Sequence, residues 1–136
     1  MKEWKLTGIV TVLLAGLFAG LATLLGGWDD AMMILTIFIA LDIASGWLRA
    51  FIQKELSSAE SFRGTAKKVL IYVIVAVAAQ ADRFTGTALI RNAAIAFYCA
   101  SEALSIFENT VAAGLPVPAF LRDALKRLST DKFPDE

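Results

Sequence analysis

Residues 6–28 contain no charged side chain, and this uncharged run limits most strongly what the chain can fold into. A helix of this length is roughly 35 Å long, which is enough to cross a hydrocarbon core of about 30 Å. The alternative is a cleaved signal peptide with a weak cleavage site at residues 19–22, but the apolar part of such a peptide is shorter and further apolar runs follow. We therefore expect residues 6–28 to form a membrane span.

Three more apolar stretches follow, at residues 31–52, 67–84 and 88–113. The third of the four stretches is the shortest, and it spans a bilayer if the charged residues at its two ends lie among the lipid headgroups. Hydrophobic residues make up 57% of the chain, above the roughly 45–50% of ordinary globular domains. The pattern predicts an all-α membrane protein, a single domain over residues 1–136 with four transmembrane helices.

A fifth helix is expected after the fourth span. Gly114 suits the end of a helix, and Pro116 and Pro118 cannot continue one. Residues 118–128 then place apolar side chains on one side and basic side chains on the other, which predicts an amphipathic helix at the membrane interface. Packing of this helix on cytosolic loops of the same protein is an equal alternative. The basic residues expected at the lipid interface are Arg63, Lys67, Lys68, Arg122, Lys126 and Arg127.

The orientation follows from the uneven distribution of charge. Ten of the basic residues precede the first span, lie between the second and third spans, or follow the fourth. The connections on the opposite side contain mainly aspartates, Asp29, Asp30 and Asp82. Because basic residues are enriched on the cytoplasmic side, we expect a multi-pass protein of the bacterial cytoplasmic membrane with both termini in the cytoplasm.

Two of the apolar stretches nevertheless carry polar side chains at helical spacing. Each charge at the bilayer centre costs roughly 2.5–3.5 kcal/mol on insertion scales, so such residues need partners or a function. They are candidates for intramembrane polar contacts, pore lining or gating. On the second span they are Asp42, Ser45 and Arg49; on the fourth they are Arg91, Tyr98, Glu102, Ser105, Glu108 and Asn109; Asp82 closes the third.

The expected depths of these residues predict specific pairs. Arg49 and Glu108 lie near the inner ends of their helices, and Asp82 and Arg91 lie near the outer ends, so each pair is predicted to form a salt bridge. Asp42 and Glu102 lie near the midplane. Either they accept hydrogen bonds inside the bundle, in a protonated form if buried, or they line an aqueous path after subunits assemble. The sequence does not decide between these two readings.

Small residues on the first span predict a surface for helix packing. Gly16 and Gly20 form a G-x-x-x-G motif, and small side chains let helix backbones approach closely in a membrane. The predicted packing face consists of Gly16, Ala19, Gly20 and Thr23.

The composition argues against several other classes of protein. The chain has no histidine, and Cys99 is its one cysteine, so the commonest general base, an intrachain disulfide and a CxxC motif are all missing. No nucleophile–base pair, metal cluster or phosphate-binding glycine loop accompanies the carboxylates. The net charge is zero, which does not favour a nucleic-acid partner. We expect neither an enzyme nor a cofactor.

Several motifs between residues 39 and 128 match a known pattern. They are L-D-I-A-S-G at 41–46, S-S at 57–58, F-R-G at 62–64, K-K at 67–68, E-A-L-S-I-F-E-N at 102–109 and G-L-P-V-P at 114–118. With Asp82, Arg91 and Tyr98, they resemble the phage lysis and toxin-secretion holin family. Ile43 and Ser45 depart from it, since the family usually has tyrosine and threonine there. The first span agrees only in character.

The resemblance implies a holin that accumulates in the host's cytoplasmic membrane and then oligomerises abruptly. The lesion would release endolysin, or a toxin in some loci, without any need to bind either one directly. Membrane lipids and further copies of the chain are then the expected partners. A small ion or solute channel, an accessory subunit with a fixed polar path, and a scaffold whose basic C-terminal helix docks a cytosolic protein are the alternatives.

Overall fold

The computed structural model describes residues 2–55 and 57–130, and every regular element within those ranges is a helix. The helices are α1 (Lys2–Leu24), α2 (Asp30–Ile52), α3 (Ser58–Thr85), α4 (Leu89–Ala112) and α5 (Ala119–Thr130). The expected all-α fold class is confirmed. The third apolar stretch is part of a longer helix, because α3 runs without a break from Ser58 to Thr85.

Short connections with left-handed glycines join the helices. Gly26 and Gly27 have φ angles of +80° and +110° in the turn between α1 and α2. Asp29 then caps α2, since its carboxylate accepts a hydrogen bond from the Met32 backbone amide at 3.0 Å. Gly114, with φ of +97°, follows the end of α4, as expected for a glycine that terminates a helix.

Helix α4 is the centre of the bundle and packs against α2, α3 and α5. Apolar side chains from α2, α3 and α4 form the core, which includes the fully buried Met32, Leu35 and Val75. We call the end of the bundle with residues 25–29 and 86–88 the turn end, and the end with residues 53–57 and 113–118 the loop end. Gln53 donates to the Ala112 carbonyl at 3.1 Å, so α2 and α4 finish at the same level at the loop end.

Helix α1 stands apart from this bundle. None of the apolar segment Trp4–Leu24 is buried, and α1 touches only α3. Arg83 and Gln80 of α3 donate to the carbonyls of Thr23 and Leu24, at 2.6 and 2.8 Å, which ties α1 to the bundle at its C-terminal end. A helix that exposes apolar side chains on every side requires an apolar surrounding.

By length and composition, two helices in the described part of the chain can cross a membrane, Trp4–Leu24 and Asp30–Ile52. Helices α3 and α4 have 28 and 24 residues but are less apolar, and α3 contains six charged residues, whereas α1, α2 and α4 contain three each. The charged side chains of these two helices decide how they meet the rest of the molecule.

Candidate functional site

A buried ion triad joins the three helices of the bundle. The Lys68 ammonium of α3 lies 2.8 Å from Asp42 Oδ2 of α2 and 2.6 Å from Glu102 Oε2 of α4. Its distance to Glu102 Oε1 is also short, 2.8 Å. Asp42 and Glu102 are 7% and 3% exposed, so the triad is shielded from the surroundings. One ammonium therefore balances two carboxylates, and the triad has an excess of one negative charge when all three groups are ionised.

The three members of the triad lie at the same level in the bundle. Each is ten residues from the loop end of its helix, counted to Ile52, Ser58 and Ala112. Ten residues of α-helix correspond to about 15 Å. This common depth is what allows one lysine to reach carboxylates on two other helices.

Asn109 extends the polar contacts of the triad towards the loop end. Its amide donates to Asp42 Oδ1 and to Ser45 Oγ, both at 3.1 Å. Ser45 in turn donates to the Asp42 backbone carbonyl at 3.0 Å. A side chain at Gly46 would begin 3.5 Å from the Asn109 amide nitrogen, so the small residue there lets α4 approach α2. Asp42 thus accepts one hydrogen bond on each carboxylate oxygen.

Arg91 forms a second network at the turn end. Its guanidinium makes two hydrogen bonds to the Asp29 carboxylate, at 2.8 and 3.1 Å, and binds the carbonyls of Leu25 and Gly27 at 2.6 and 3.0 Å. The bond from Arg91 holds the pKa of the Asp29 carboxyl below its usual value, against a smaller opposing effect of burial. Arg91 is only 7% exposed, and four good acceptors satisfy it.

The predicted salt bridge between Asp82 and the Arg91 side chain is wrong. Asp82 instead accepts hydrogen bonds from the backbone amides of Ile90 and Arg91, at 3.0 and 2.7 Å, and from the Thr87 hydroxyl at 2.5 Å. The N-cap residue of α4 is Ala88, whose side chain cannot accept a hydrogen bond. Asp82, near the end of α3, therefore binds the free amides at the start of α4. The guanidinium points away towards the α1–α2 turn, where Asp29 is its partner.

The predicted Arg49–Glu108 salt bridge is also not formed. Glu108 is exposed, whereas its neighbour Asn109 occupies the face of α4 directed at α2. Consecutive helical residues point about 100° apart, so only one of the two can face α2. The Arg49 Nε atom is buried and has no hydrogen-bond partner.

A cavity of about 340 Å³ opens between Arg49 and the triad. Its polar lining includes Asp42, Glu55, Lys68, Ser105 and Asn109. On the other side of the triad the apolar core fills the bundle, and there the Tyr72 hydroxyl donates to Thr36 at 3.1 Å. The cavity therefore ends at the triad and does not cross the bundle.

The remaining predicted residues lie in varied surroundings. Tyr98 is half-buried beside the apolar core and contacts Phe97 edge-on, with ring centroids 5.2 Å apart. Gly16 and Gly20 have no atom near the position of a side chain, so the predicted packing face meets nothing within the protomer. On the same face, Thr23 bonds back to the Ala19 carbonyl at 2.8 Å.

The basic residues predicted at the lipid interface divide into two groups. Arg63, Lys67 and Arg127 are exposed. The prediction for Lys68 is wrong, because its ammonium lies between two buried carboxylates. The side chains of Arg122 and Lys126 lie outside the described residues.

The pattern on α3 contains a signal that would have found Lys68. The buried residues of α3 are Ile71, Val75, Ala78, Ala79 and Asp82. Extended back by three residues from Ile71, this stripe reaches Lys68 and not Lys67. The role of Asp29 had no comparable signal, since the fold of the α1–α2 turn brings its carboxylate to Arg91.

The arrangement is suited to holding helices together and not to catalysis. The carboxylates of Asp42 and Glu102 both bind Lys68, and neither faces a nucleophile. No group of histidine, cysteine, aspartate or glutamate side chains in the described part of the chain is arranged to hold a metal ion. Removal of one partner from such a buried pair leaves an uncompensated charge, so the triad is a sensitive point of the bundle.

Comparison with known proteins identifies relatives along most of the chain. The model of the bacteriophage holin family matches residues 19–130. An uncharacterised protein of Clostridium perfringens strain 13 is 38% identical, covering 89% of this chain and 93% of its own. A Listeria monocytogenes protein, also uncharacterised, is 40% identical over 83% of this chain and 81% of its own.

A phage protein is among the relatives as well. A protein of Bacillus phage phi105 named as a probable holin is 34% identical, over 75% of this chain and 74% of its own length. No solved structure is significantly similar to the chain. The family match includes the triad, Arg91 and Asn109, and the family is one of non-enzymatic membrane proteins. The chain belongs to the bacteriophage holin family, as its motifs predicted.

Proposed function

We propose that this chain is a holin that crosses the bacterial cytoplasmic membrane four times, with both termini in the cytoplasm, and assembles into a lesion. The loop end of the bundle then faces the cytoplasm and the turn end faces outward. The lesion lets an endolysin reach the cell wall, or a toxin in other settings, without direct binding to either. Membrane lipids and further copies of the chain are its partners.

The observation that carries this proposal is the contrast between α1 and the bundle. Helix α1 exposes apolar side chains all round, while α2, α3 and α4 enclose buried polar groups in the protomer, among them Asp42, Arg91 and Glu102. One copy therefore offers no open path, and a bundle of this size is too small to enclose a folded protein. Passage of an endolysin requires many copies, and the open face of α1, with Gly16 and Gly20, is available for contacts between them.

The triad supplies the polar surface that an open assembly needs. It lies about 15 Å from the loop end, which is near the middle of a hydrocarbon core of about 30 Å. In the closed protomer Asp42, Lys68 and Glu102 satisfy one another. On triggering by a change in membrane potential, these helices separate, and the same groups turn towards water and towards other copies.

Lysis timing in a bacterial host tests this mechanism. Asp42→Asn and Glu102→Gln each leave Lys68 with one carboxylate, which removes the excess negative charge and favours the closed protomer. We expect delayed lysis in both, earlier lysis in Lys68→Gln, and unchanged lysis in the exposed control Glu108→Gln. Membrane levels are matched by immunoblot. Unchanged timing in all three triad variants at equal levels would contradict the mechanism.

A small channel is the second candidate, and the cavity is the observation that favours it. A polar cavity that ends at a charged group resembles half of a fixed path. Liposomes that contain both a small dye and a folded protein of endolysin size separate the two candidates. A holin releases both cargoes above a threshold density of protein, whereas a channel releases small solutes alone at any density.

A further inference from the structure

Arg49 is a partly buried cation beside the triad. Its Nε atom is shielded and has no hydrogen-bond partner, and no ion pair within the described residues includes its guanidinium. A shielded charge that lacks a partner costs free energy unless an anion compensates it. Within the described residues, Asp42 is held by Lys68 and Asn109, Glu55 lines the same cavity but forms no ion pair with Arg49, and Glu108 is exposed.

The surroundings of Arg49 indicate the size and polarity of the missing partner. The guanidinium lines the 340 Å³ cavity together with Ser57, Thr65 and Ser105, which bring hydroxyl groups to the same wall. This volume lies at the lower end of the range for small-molecule sites, about 300–1,000 Å³. A guanidinium with several hydroxyl groups suits a tetrahedral oxyanion, since arginine binds phosphate through two parallel N–H bonds.

The position of the cavity indicates where that oxyanion comes from. Arg49 is three residues before the end of α2 at Ile52, about 4.5 Å inside the end of the helix. Trp47, Leu48 and Phe51 beside it are exposed apolar side chains. Tryptophan is enriched at the level of lipid headgroups, so a phosphate at Arg49 would carry acyl chains along this apolar surface.

We propose that the cavity at Arg49 is a binding site for a phosphate group, supplied by the headgroup of an anionic phospholipid. The carboxylate of a second copy of the chain fits this cavity less well than a lipid phosphate does. Glu108 rises from a helix about 10 Å wide, and a helix of that width cannot enter a cavity of this volume. The proposal takes from the proposed function only the depth of Arg49 in the membrane, and its test does not measure lysis.

Quenching of Trp47 by brominated lipids tests the site. The full chain with Trp4→Phe and Trp28→Phe keeps Trp47 as its one tryptophan, beside the cavity. It is reconstituted in phosphatidylcholine nanodiscs with equal fractions of brominated phosphatidylglycerol or brominated phosphatidylcholine. The zwitterionic lipid reports ordinary contact with the bilayer, so stronger quenching by the anionic lipid reports selective binding.

We expect an association constant about fivefold higher for phosphatidylglycerol, the size typical of one basic residue at a membrane surface. Arg49→Gln should abolish the preference, Arg49→Lys should reduce it, and the exposed control Arg63→Gln should leave it unchanged. Far-ultraviolet circular dichroism checks that helix content is equal in all variants. Arg49→Gln removes an unpartnered charge and leaves the bundle contacts in place, so the variant should fold.

The other outcomes are equally definite. Loss of the preference in millimolar inorganic phosphate would support the phosphate site and identify a free anion as a competing occupant. Equal quenching by both lipids in the parent chain, or a preference that survives Arg49→Gln, would overturn the proposal. So would a preference that appears only on Glu108→Gln, which would identify another copy of the chain as the partner of Arg49. None of these results depends on whether the protein forms lesions.

Discussion

Replacement of Lys68 by methionine tests the energetic role of the ion triad most directly. Methionine keeps the length and apolar stem of lysine but removes the ammonium, so the change isolates the charge. Asp42 and Glu102 then face each other without a cation. Their nearest carboxylate oxygens are separated by at most the sum of the two distances to Lys68, 2.8 Å and 2.6 Å, or 5.4 Å.

The magnitude follows from this separation. Two negative charges about 5.4 Å apart repel by roughly 3 kcal/mol at an effective dielectric constant of about 20. This agrees with the cost of about 3–5 kcal/mol for breaking a buried ion pair by removing one partner. We therefore expect Lys68→Met to lower the free energy of unfolding by about 3–5 kcal/mol.

The assay is equilibrium unfolding in detergent micelles with a matched control and a compensating variant. Lys67→Met changes the adjacent lysine, which is exposed, and should alter stability by less than about 0.5 kcal/mol. The triple variant Asp42→Asn, Lys68→Met, Glu102→Gln removes all three charges and should recover most of the loss. Equal stability of Lys68→Met and Lys67→Met, or a triple variant no better than Lys68→Met, would refute the reasoning.

Three further predictions concern the turn end and α1. Gly26→Ala places a methyl group 2.8 Å from Arg91 Cδ in a backbone with φ of +80°, so thermal unfolding should show a loss of stability of about 1–3 kcal/mol. The control Gly86→Ala, with φ of +73° and open space around the new methyl group, should lose less stability. An equal loss in both variants would show that the contact with Arg91 is unimportant. Because Arg91 lowers the pKa of Asp29 below its usual value of 3.8, the folded state binds fewer protons, and this stability is present above that value and is lost as pH falls through the folded pKa. Asp29→Asn, which can still cap α2, should remove this part of the pH dependence of the unfolding midpoint below about pH 4, and an unaltered profile would contradict the assignment. Gly16→Leu should leave unfolding of the protomer unchanged and reduce energy transfer between labelled copies in liposomes, whereas unchanged transfer would exclude this face from assembly.

The helices were largely predictable from sequence because their signals are local. Apolar runs, Gly114 and the prolines after α4 indicate where the helices lie. The end of the first span was predicted too late, at residue 28, because α1 ends at Leu24, before the left-handed Gly26 and Gly27. The polar faces of α2 and α4 were predictable for the same reason, since helical spacing alone places Asp42 near Ser45 and Glu102 near Asn109. The choice of partners was not, because it depends on how three helices rotate and on how turns bring distant segments together.

Two errors in the predicted contacts show this dependence. Lys68 was assigned to the surface because a pair of adjacent lysines before an apolar run usually marks a membrane boundary. In the continuous α3, its angular position continues the buried stripe, and that takes it between the two carboxylates. Asp82 was paired with the Arg91 side chain because the two lie at one depth. Its carboxylate instead accepts hydrogen bonds from the free backbone amides at the start of α4.

The two polar networks differ in a way that bears on how the protomer opens. At the turn end, Arg91 and Asp29 balance in charge, and Arg91 is bonded through three of its nitrogens. Between the middle of the bundle and the loop end, one lysine serves two carboxylates, the Arg49 Nε atom has no hydrogen-bond partner in the described part of the chain, and a cavity lies between the helices. Disruption of the turn end would leave several hydrogen-bonding groups unsatisfied at once, whereas separation at the loop end exposes groups that water, lipid phosphate or another copy can satisfy. In the proposed opening, rearrangement therefore costs less at the loop end, and we expect the turn end to act as the fixed point about which α2, α3 and α4 part.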